Sequence, residues 1–304
     1  MITFEMALDE VKITKKKGSF LQTLWRSSDS GTENASSDAP AASSSVSLSE
    51  AELFSQLPQA VPASLFLNRW TPEELRKELE SSGLLSSIRK KGFHHLRIDT
   101  QHVDPDEHRL LVFEDDAGGS LKLSEFRFEL TRREMPKMEG FNPTRSFFNV
   151  LNINWVLLQN PRQNFTADRP QLPGQEHPGL GLGWKSQQFL ERLGAGLGCD
   201  GLENHPQYFH NAVFYCNRYF FVDPVRQGVL LAMMRDLEET PMNVASRAIT
   251  EGKLMDKIRN APVMWEAGSM LCPLTRSLKK FFDTRAYKKL RQEAIESHHF
   301  GLSL

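Results

Sequence analysis

Apolar residues recur along this chain at two spacings, and the places where the spacing changes mark its elements. The run Thr71-Pro-Glu-Glu74 opens a stretch in which Leu75, Leu79 and Leu84 share one helical face, with Thr71 as cap, Pro72 in the first turn and Glu74 closing a capping box. Gly83 or Gly92 ends it. Alternation then predicts antiparallel strands over 93–99, 109–114 and 121–131, the last two joined by the turn Asp115-Asp-Ala-Gly-Gly119. In the third strand the apolar face passes from Leu121 and Leu123 to Phe126, Phe128 and Leu130, a change of phase that predicts a bulge near Ser124. Leu151 to Leu158 is apolar at every odd position and then throughout, as in a strand buried on both sides. Helical spacing returns over 184–197, with Phe189, Leu190, Leu193 and Leu197 on one face.

Four prolines between Asn160 and Pro178 exclude regular structure there. Beyond the 184–197 helix the pattern gives a short strand over 199–203, a helix over 205–217 begun by Pro206, and a strand over 218–222. Helices follow over 228–239, 243–259 and 276–297. The fold class is therefore α/β (α+β), with a mixed, largely antiparallel sheet flanked by helices and a helical C-terminal extension. Serine predominates over 27–50 with little apolar content, so 1–48 reads as a flexible arm and linker, 49–240 as the main domain and 241–304 as the extension. A short helix is expected to start at Ser49 and stop at Pro58. Within the arm, Lys15-Lys16-Lys17 followed by Phe20, Leu21, Leu24 and Trp25 is either a partly ordered tail or a short docking helix.

The formal net charge of −1 gives no global reason to expect nucleic acid or acidic membrane as the main partner. No apolar run approaches membrane-spanning length and the acidic start lacks a signal-peptide core, so a cytoplasmic protein is expected. The three cysteines, Cys199, Cys216 and Cys272, are unpaired in spacing and read as reduced thiols. Neither they nor His205 and His210, five residues apart, form a tight metal-ligand pair, and no metal is expected.

Candidate chemistry concentrates at Gln175-Glu-His-Pro-Gly179-Leu180-Gly181-Leu182-Gly183-Trp-Lys-Ser186. A strand, a glycine loop and a helix in that order present backbone N–H groups at a helix N-terminus, a natural seat for phosphate. The Walker pattern fails because Trp184 stands in place of its second glycine, and the dinucleotide fingerprint fails for want of a glycine or alanine at the later offset. A plain structural turn is the alternative.

The loop resembles the pyrophosphate-binding turn of the GNAT acetyltransferase superfamily, Arg/Gln-x-x-Gly-x-Gly/Ala, with Gln175 one residue farther from the glycines. That family continues with a strand, a helix resembling Asn-x-x-Ala-x-x-x-Tyr, and Gly-Phe; this chain offers Asn211-Ala212, Tyr215 and then Tyr219-Phe220. Asn211 directly precedes Ala212 and Tyr219 replaces the glycine. The resemblance spans roughly residues 65–225.

It implies a GNAT-like fold and transfer of an acyl group from acetyl-coenzyme A, or another acyl-coenzyme A, to an amine by direct attack. It places Gln175, Gly179, Leu180, Gly181, Leu182, Gly183 and Asn211 at the coenzyme, and Tyr215 as the acid that protonates the departing thiolate. Glu125 and Glu129 are candidate bases, although alternating strand charge also suits a solvated face. The acceptor is a small-molecule or protein amine. The basic run Arg276, Lys279, Lys280, Arg285, Lys288, Lys289 and Arg291 is either a solvated helix face or a surface for an acidic partner, such as an acyl carrier protein or nucleic acid. Two rivals stand beside the enzyme: a non-catalytic ligand sensor on the same fold, and an interaction protein.

Overall fold

In the computed structural model the described residues are 65–103 and 107–303. The expected arm over 1–48 and the helix from Ser49 lie outside them. Helix α1 (Pro72–Ser81) has the capping box that its sequence predicts. The Glu74 amide donates to Thr71 Oγ1 at 3.3 Å and the Thr71 amide to Glu74 Oε2 at 2.9 Å, with Leu75 and Leu79 buried beneath. Gly83, at φ +75°, ends it and admits α2 (Leu84–Arg89).

Strands β1 (Leu96–His102), β2 (Glu107–Asp116), β3 (Gly119–Glu134) and β4 (Phe147–Leu158) form an antiparallel meander. The predicted bulge is present: the register passes from Val112↔Ser124 to Phe113↔Lys122, which leaves Leu123 as the extra residue. The chain then crosses over through α3 (Gly183–Gly196) to β5 (Gly201–Asn204), parallel to β4, and continues through α4 (Phe209–Tyr215) to β6 (Phe220–Phe221). Helices α5 (Pro224–Asp236) and α6 (Met242–Thr250) follow, then strands β7 (Leu254–Asp256), β8 (Ala261–Val263) and β9 (Met270–Pro273). The last elements are α7 (Arg276–Asp283), α8 (Arg285–Glu296) and β10 (Phe300–Leu302). The main sheet has the order β1-β2-β3-β4-β5-β9-β6, and a small sheet has β10-β7-β8. Every neighbouring pair except β4–β5 is antiparallel. A mixed, mostly antiparallel sheet flanked by helices, with a C-terminal helical region, is a GNAT-like α/β architecture.

Helices cover both faces of the sheet. On one, Phe189 of α3 meets Phe126 edge-on at 5.7 Å, and α3 lies so close to β5 that a Cβ on Gly194 would stand 2.6 Å from Leu202 Cδ2. On the other, Phe148, Val150 and Leu271 pack with Leu278, Phe281 and Tyr287 of α7 and α8, and Tyr287 Oη donates to the Phe221 carbonyl at 2.6 Å.

Several boundaries differ from the sequence reading, each for a local reason. The 243–259 helix stops at Thr250, because Gly252 at φ +74° closes it: the Gly252 amide donates to Ile249 O and the Lys253 amide to Ala248 O. The 276–297 helix is two, since Thr284 is extended and its Oγ1 accepts from the Tyr287 amide at 3.2 Å, starting α8. Helix α4 begins at Phe209 rather than near Pro206, whose carbonyl accepts from Trp265 Nε1 at 3.1 Å. Helix α5 begins four residues before the predicted Gly228, with Asp223 as cap. Burial of β4 on both sides holds only to Ile153; β5 ends there and Trp155 is 47% exposed.

Candidate functional site

The one parallel pair in the sheet is short. Val150–Ile153 pair with Gly201–Asn204, after which β4 runs on without β5, held by β3 on its other side until the glycine loop meets its end at Leu158. Two parallel neighbours joined through a loop and a helix, and then parting, leave an opening at their carboxyl ends. Open α/β sheets bind ligands in such a crevice.

The glycine loop lies across the end of this opening. The Leu180 amide donates to Leu158 O at 3.3 Å, Gly179 bridges to Gln159, and the Asn160 amide donates to Pro178 O at 2.7 Å. Gly181 adopts φ +70°, and a Cβ built on it would meet no atom within 4 Å, so its backbone faces open space. Leu180 and Leu182 turn inward and are buried, whereas Gly181 and Gly183 are exposed. Helix α3 starts at Gly183 behind Leu182, whose side chain offers no acceptor to the first-turn amides. That terminus suits an anion.

The proline-rich segment fixes this loop from outside. Arg162 pairs with Asp116 at 2.7 Å, Arg169 Nη2 donates to the Gly179 carbonyl at 2.5 Å, and Gly174 approaches the Tyr208 ring so closely that a Cβ would stand 2.7 Å from it. Arg169 was not marked by any sequence spacing; its role follows from the fold alone. Gln175 is engaged within the segment, its Oε1 accepting from the Leu172 amide at 3.1 Å and its carbonyl from Gln171 Nε2 at 2.6 Å. Gln171, Leu172 and Gly174 line a recess of about 320 Å³ with Arg247, Thr250 and Glu251.

Tyr215 closes α4, half-buried, with its ring edge-on to Tyr219 at 5.2 Å. Its hydroxyl has no hydrogen-bond partner among the described residues, and burial pushes its pKa up to about 12. The next turn reaches α3. Arg218 lies over the Trp184 ring at 4.8 Å and pairs with Glu191 at 3.3 Å, and Glu191 accepts from Gln187 Nε2 at 3.1 Å. The structure thus brings the tyrosine turn to the helix that begins at the glycine loop. Asn211 sits in the first turn of α4, its amide donating to Tyr208 O at 3.1 Å, and its side chain makes no hydrogen bond among the described residues.

The two candidate bases lie on β3, apart from this turn. Glu125 is buried between Lys122 Nζ at 2.8 Å and Arg127 Nε at 2.7 Å. Burial raises its pKa, but the bonds from those two cations outweigh it and hold the carboxyl below the usual range. Glu129 is half-buried and in register with Asn152 of β4, which in turn pairs with Glu203 of β5. Glu203 escaped the sequence reading. It is a buried carboxylate bonded to Arg133 and, at 2.5 Å, to Ser269 Oγ, with His205 Nε2 at 3.8 Å.

Burial pushes the pKa of Cys199 up to about 11, and those of Cys216 and Cys272 up to about 12, so none is an activated thiol. Among the described residues no cluster of three or more His, Cys, Asp or Glu could hold a metal ion, and no helix is long and apolar enough to cross a membrane. The basic residues of α7 and α8 point mostly outward, two of them into i,i+4 pairs: Lys279 with Asp283 and Lys289 with Glu293.

No family model matches this chain, and no curated protein does. Among solved structures, a tyrosine-to-phenylalanine mutant of KacT overlaps 70% of this chain and 85% of its own at 9% identity, with a TM-score of 0.27. AtaTR bound with AcCoA overlaps 53% of this chain and 82% of its own at 12% identity, with a TM-score of 0.25. Both overlays are too loose to assign a family.

Proposed function

We propose that this protein transfers an acyl group from acyl-coenzyme A to an amine. The observation that carries the reading is the glycine loop, which presents open backbone at Gly181 and an α3 terminus without a side-chain cap, at the place where β4 and β5 part. In this reading Gly179, Leu180, Gly181, Leu182 and Gly183 receive the pyrophosphate through their amides, and Gln175 and Asn211 flank the coenzyme. The acyl arm extends along the free side of β4. Tyr215 is a phenol at neutral pH, as an ordinary tyrosine is, and burial pushes its pKa further up, so it holds the proton that a departing thiolate needs. The amine's proton goes to a carboxylate or to water, with Glu129 better disposed than the doubly paired Glu125. The basic face of α7 and α8 would receive an acidic partner.

The pairing of Glu125 favours a second reading, a sensor that binds the coenzyme without turnover. Calorimetry with acetyl-coenzyme A, combined with a thiol-release assay over a panel of amines, separates the two. Binding with thiol release supports the enzyme, binding without it the sensor, and no binding ends both.

A further inference from the structure

Two segments outside the motifs that carry the GNAT resemblance converge on one recess. One wall is the end of the proline-rich segment, up to Gly174, and the other is the end of α6, from Arg247 to Glu251. A relay of side chains at the start of α4 ties the walls together. Gly174 lies against the Tyr208 ring, that ring stacks with His210 at 5.4 Å, and His210 Nδ1 meets Ser246 Oγ of α6 at 2.7 Å, one residue before Arg247. The recess is therefore preformed. Its volume of about 320 Å³ stands at the small end of the range of about 300–1,000 Å³ that small-molecule sites occupy.

The charges of this recess do not cancel within it. Arg247 is exposed, and among the described residues its guanidinium has neither a hydrogen bond nor an ion pair. Glu251, four residues on, feels the charge of Arg247 but bonds instead to Lys253 at 2.9 Å. Across the recess the Gly174 amide likewise donates to no described residue, while Leu172 and Pro173 add half-buried apolar surface. A guanidinium whose donors are unused takes a carboxylate through two parallel hydrogen bonds. With one such cation and the Glu251 carboxylate beside it, a single negative charge is attracted and a second is opposed.

We propose that this recess binds a small organic monocarboxylate, with its carboxylate on Arg247 and its apolar body against Leu172 and Pro173. The inference does not depend on the acyl-coenzyme A reading, because neither wall contains the glycine loop or Tyr215.

The test is calorimetry of the full chain with phenylacetate and hexanoate, each beside its uncharged amide, and with phenyl phosphate as the dianionic counterpart. Both acids should bind about tenfold or more tightly than their amides, as a hydrogen bond to a charged group implies, and more tightly than phenyl phosphate. Arg247→Ala should lose this preference and melt with the parent, since an exposed side chain without a partner contributes little stability. Arg247→Lys keeps the charge without the paired donors and should recover only part of it. Gly181→Val, which disturbs the glycine loop alone, should bind the acids as the parent does. Acids no tighter than their amides in the parent overturn the inference, and that comparison needs no variant. A preference that survives Arg247→Ala, or phenyl phosphate as the tighter ligand, overturns it as well. Loss of the acids in Gly181→Val would place them at the glycine loop and overturn it too.

Discussion

The Arg218 guanidinium lies over the Trp184 ring, 4.8 Å from its centroid, and so fastens the turn after Tyr215 to the start of α3. The same guanidinium pairs with Glu191 farther along that helix. Truncating Arg218 should therefore affect the tyrosine and the glycine loop together. Arg218→Ala is expected to lose about 1 kcal/mol of stability, the sum of a partly exposed cation–π contact and an ion pair. It should also slow turnover, and Arg218→Lys should recover only part of both. Thermal melts and a thiol-release assay on the same samples check this; an Arg218→Ala protein with parental rate would detach the two segments.

Gly181 is the position where a side chain should do most harm to binding. Its φ of +70° is strained for any β-branched residue, and its surroundings are open. Gly181→Val should lose coenzyme binding and about 1–2 kcal/mol of stability, with the fold retained. A folded variant with parental affinity by calorimetry would remove the loop from the site.

For Tyr215→Phe the expected loss is about tenfold or more in turnover, with little change in coenzyme affinity. Its hydroxyl has no partner among the described residues, so the melting temperature should stay close to that of the parent. A clear drop in melting temperature at parental rate would make it a packing residue.

His210 gives a pH dependence of definite sign. Its ring is buried, Nδ1 lies 2.7 Å from Ser246 Oγ, and burial lowers its pKa from 6.5 to about 4. Between those values the unfolded chain takes up the proton more readily than the folded one, so stability falls as pH drops through that window. The slope for one such group is at most about 1.4 kcal/mol per pH unit. Denaturant titrations at several pH values should show this slope in the parent and a flatter one in His210→Gln.

Local chemistry accounts for what the sequence made legible. Thr71, Pro72 and Glu74 announce α1 because capping is settled by adjacent residues. The change of apolar phase around Leu123 announces the bulge because side-chain alternation has a strict period of two. Gly252 and Thr284 carried equally local stop signals, but apolar spacing on either side masked them. Strand β9 left no trace: Met270-Leu-Cys-Pro273 is short, lacks alternation, and is a strand only because β5 and β6 pair with it. Glu203 and Arg169 were invisible for a related reason, since each acts through partners distant in sequence or in a loop without a repeating pattern. Glu125 shows the reverse. Its place on a strand is legible, while the two cations that depress its basicity, Lys122 beyond the bulge and Arg127 two residues on, are evident only in the fold.

The position of β9 also bears on how the chain is made. Leu202 of β5 pairs with Cys272 of β9, yet β6, three helices and two strands of the small sheet are synthesised in between. On a ribosome adding about 5–20 residues per second, β5 waits several seconds with a bare hydrogen-bonding edge. Any nascent or truncated chain ending before Met270 would expose that edge to other strands, which makes β5 the place where aggregation of incomplete chains should begin.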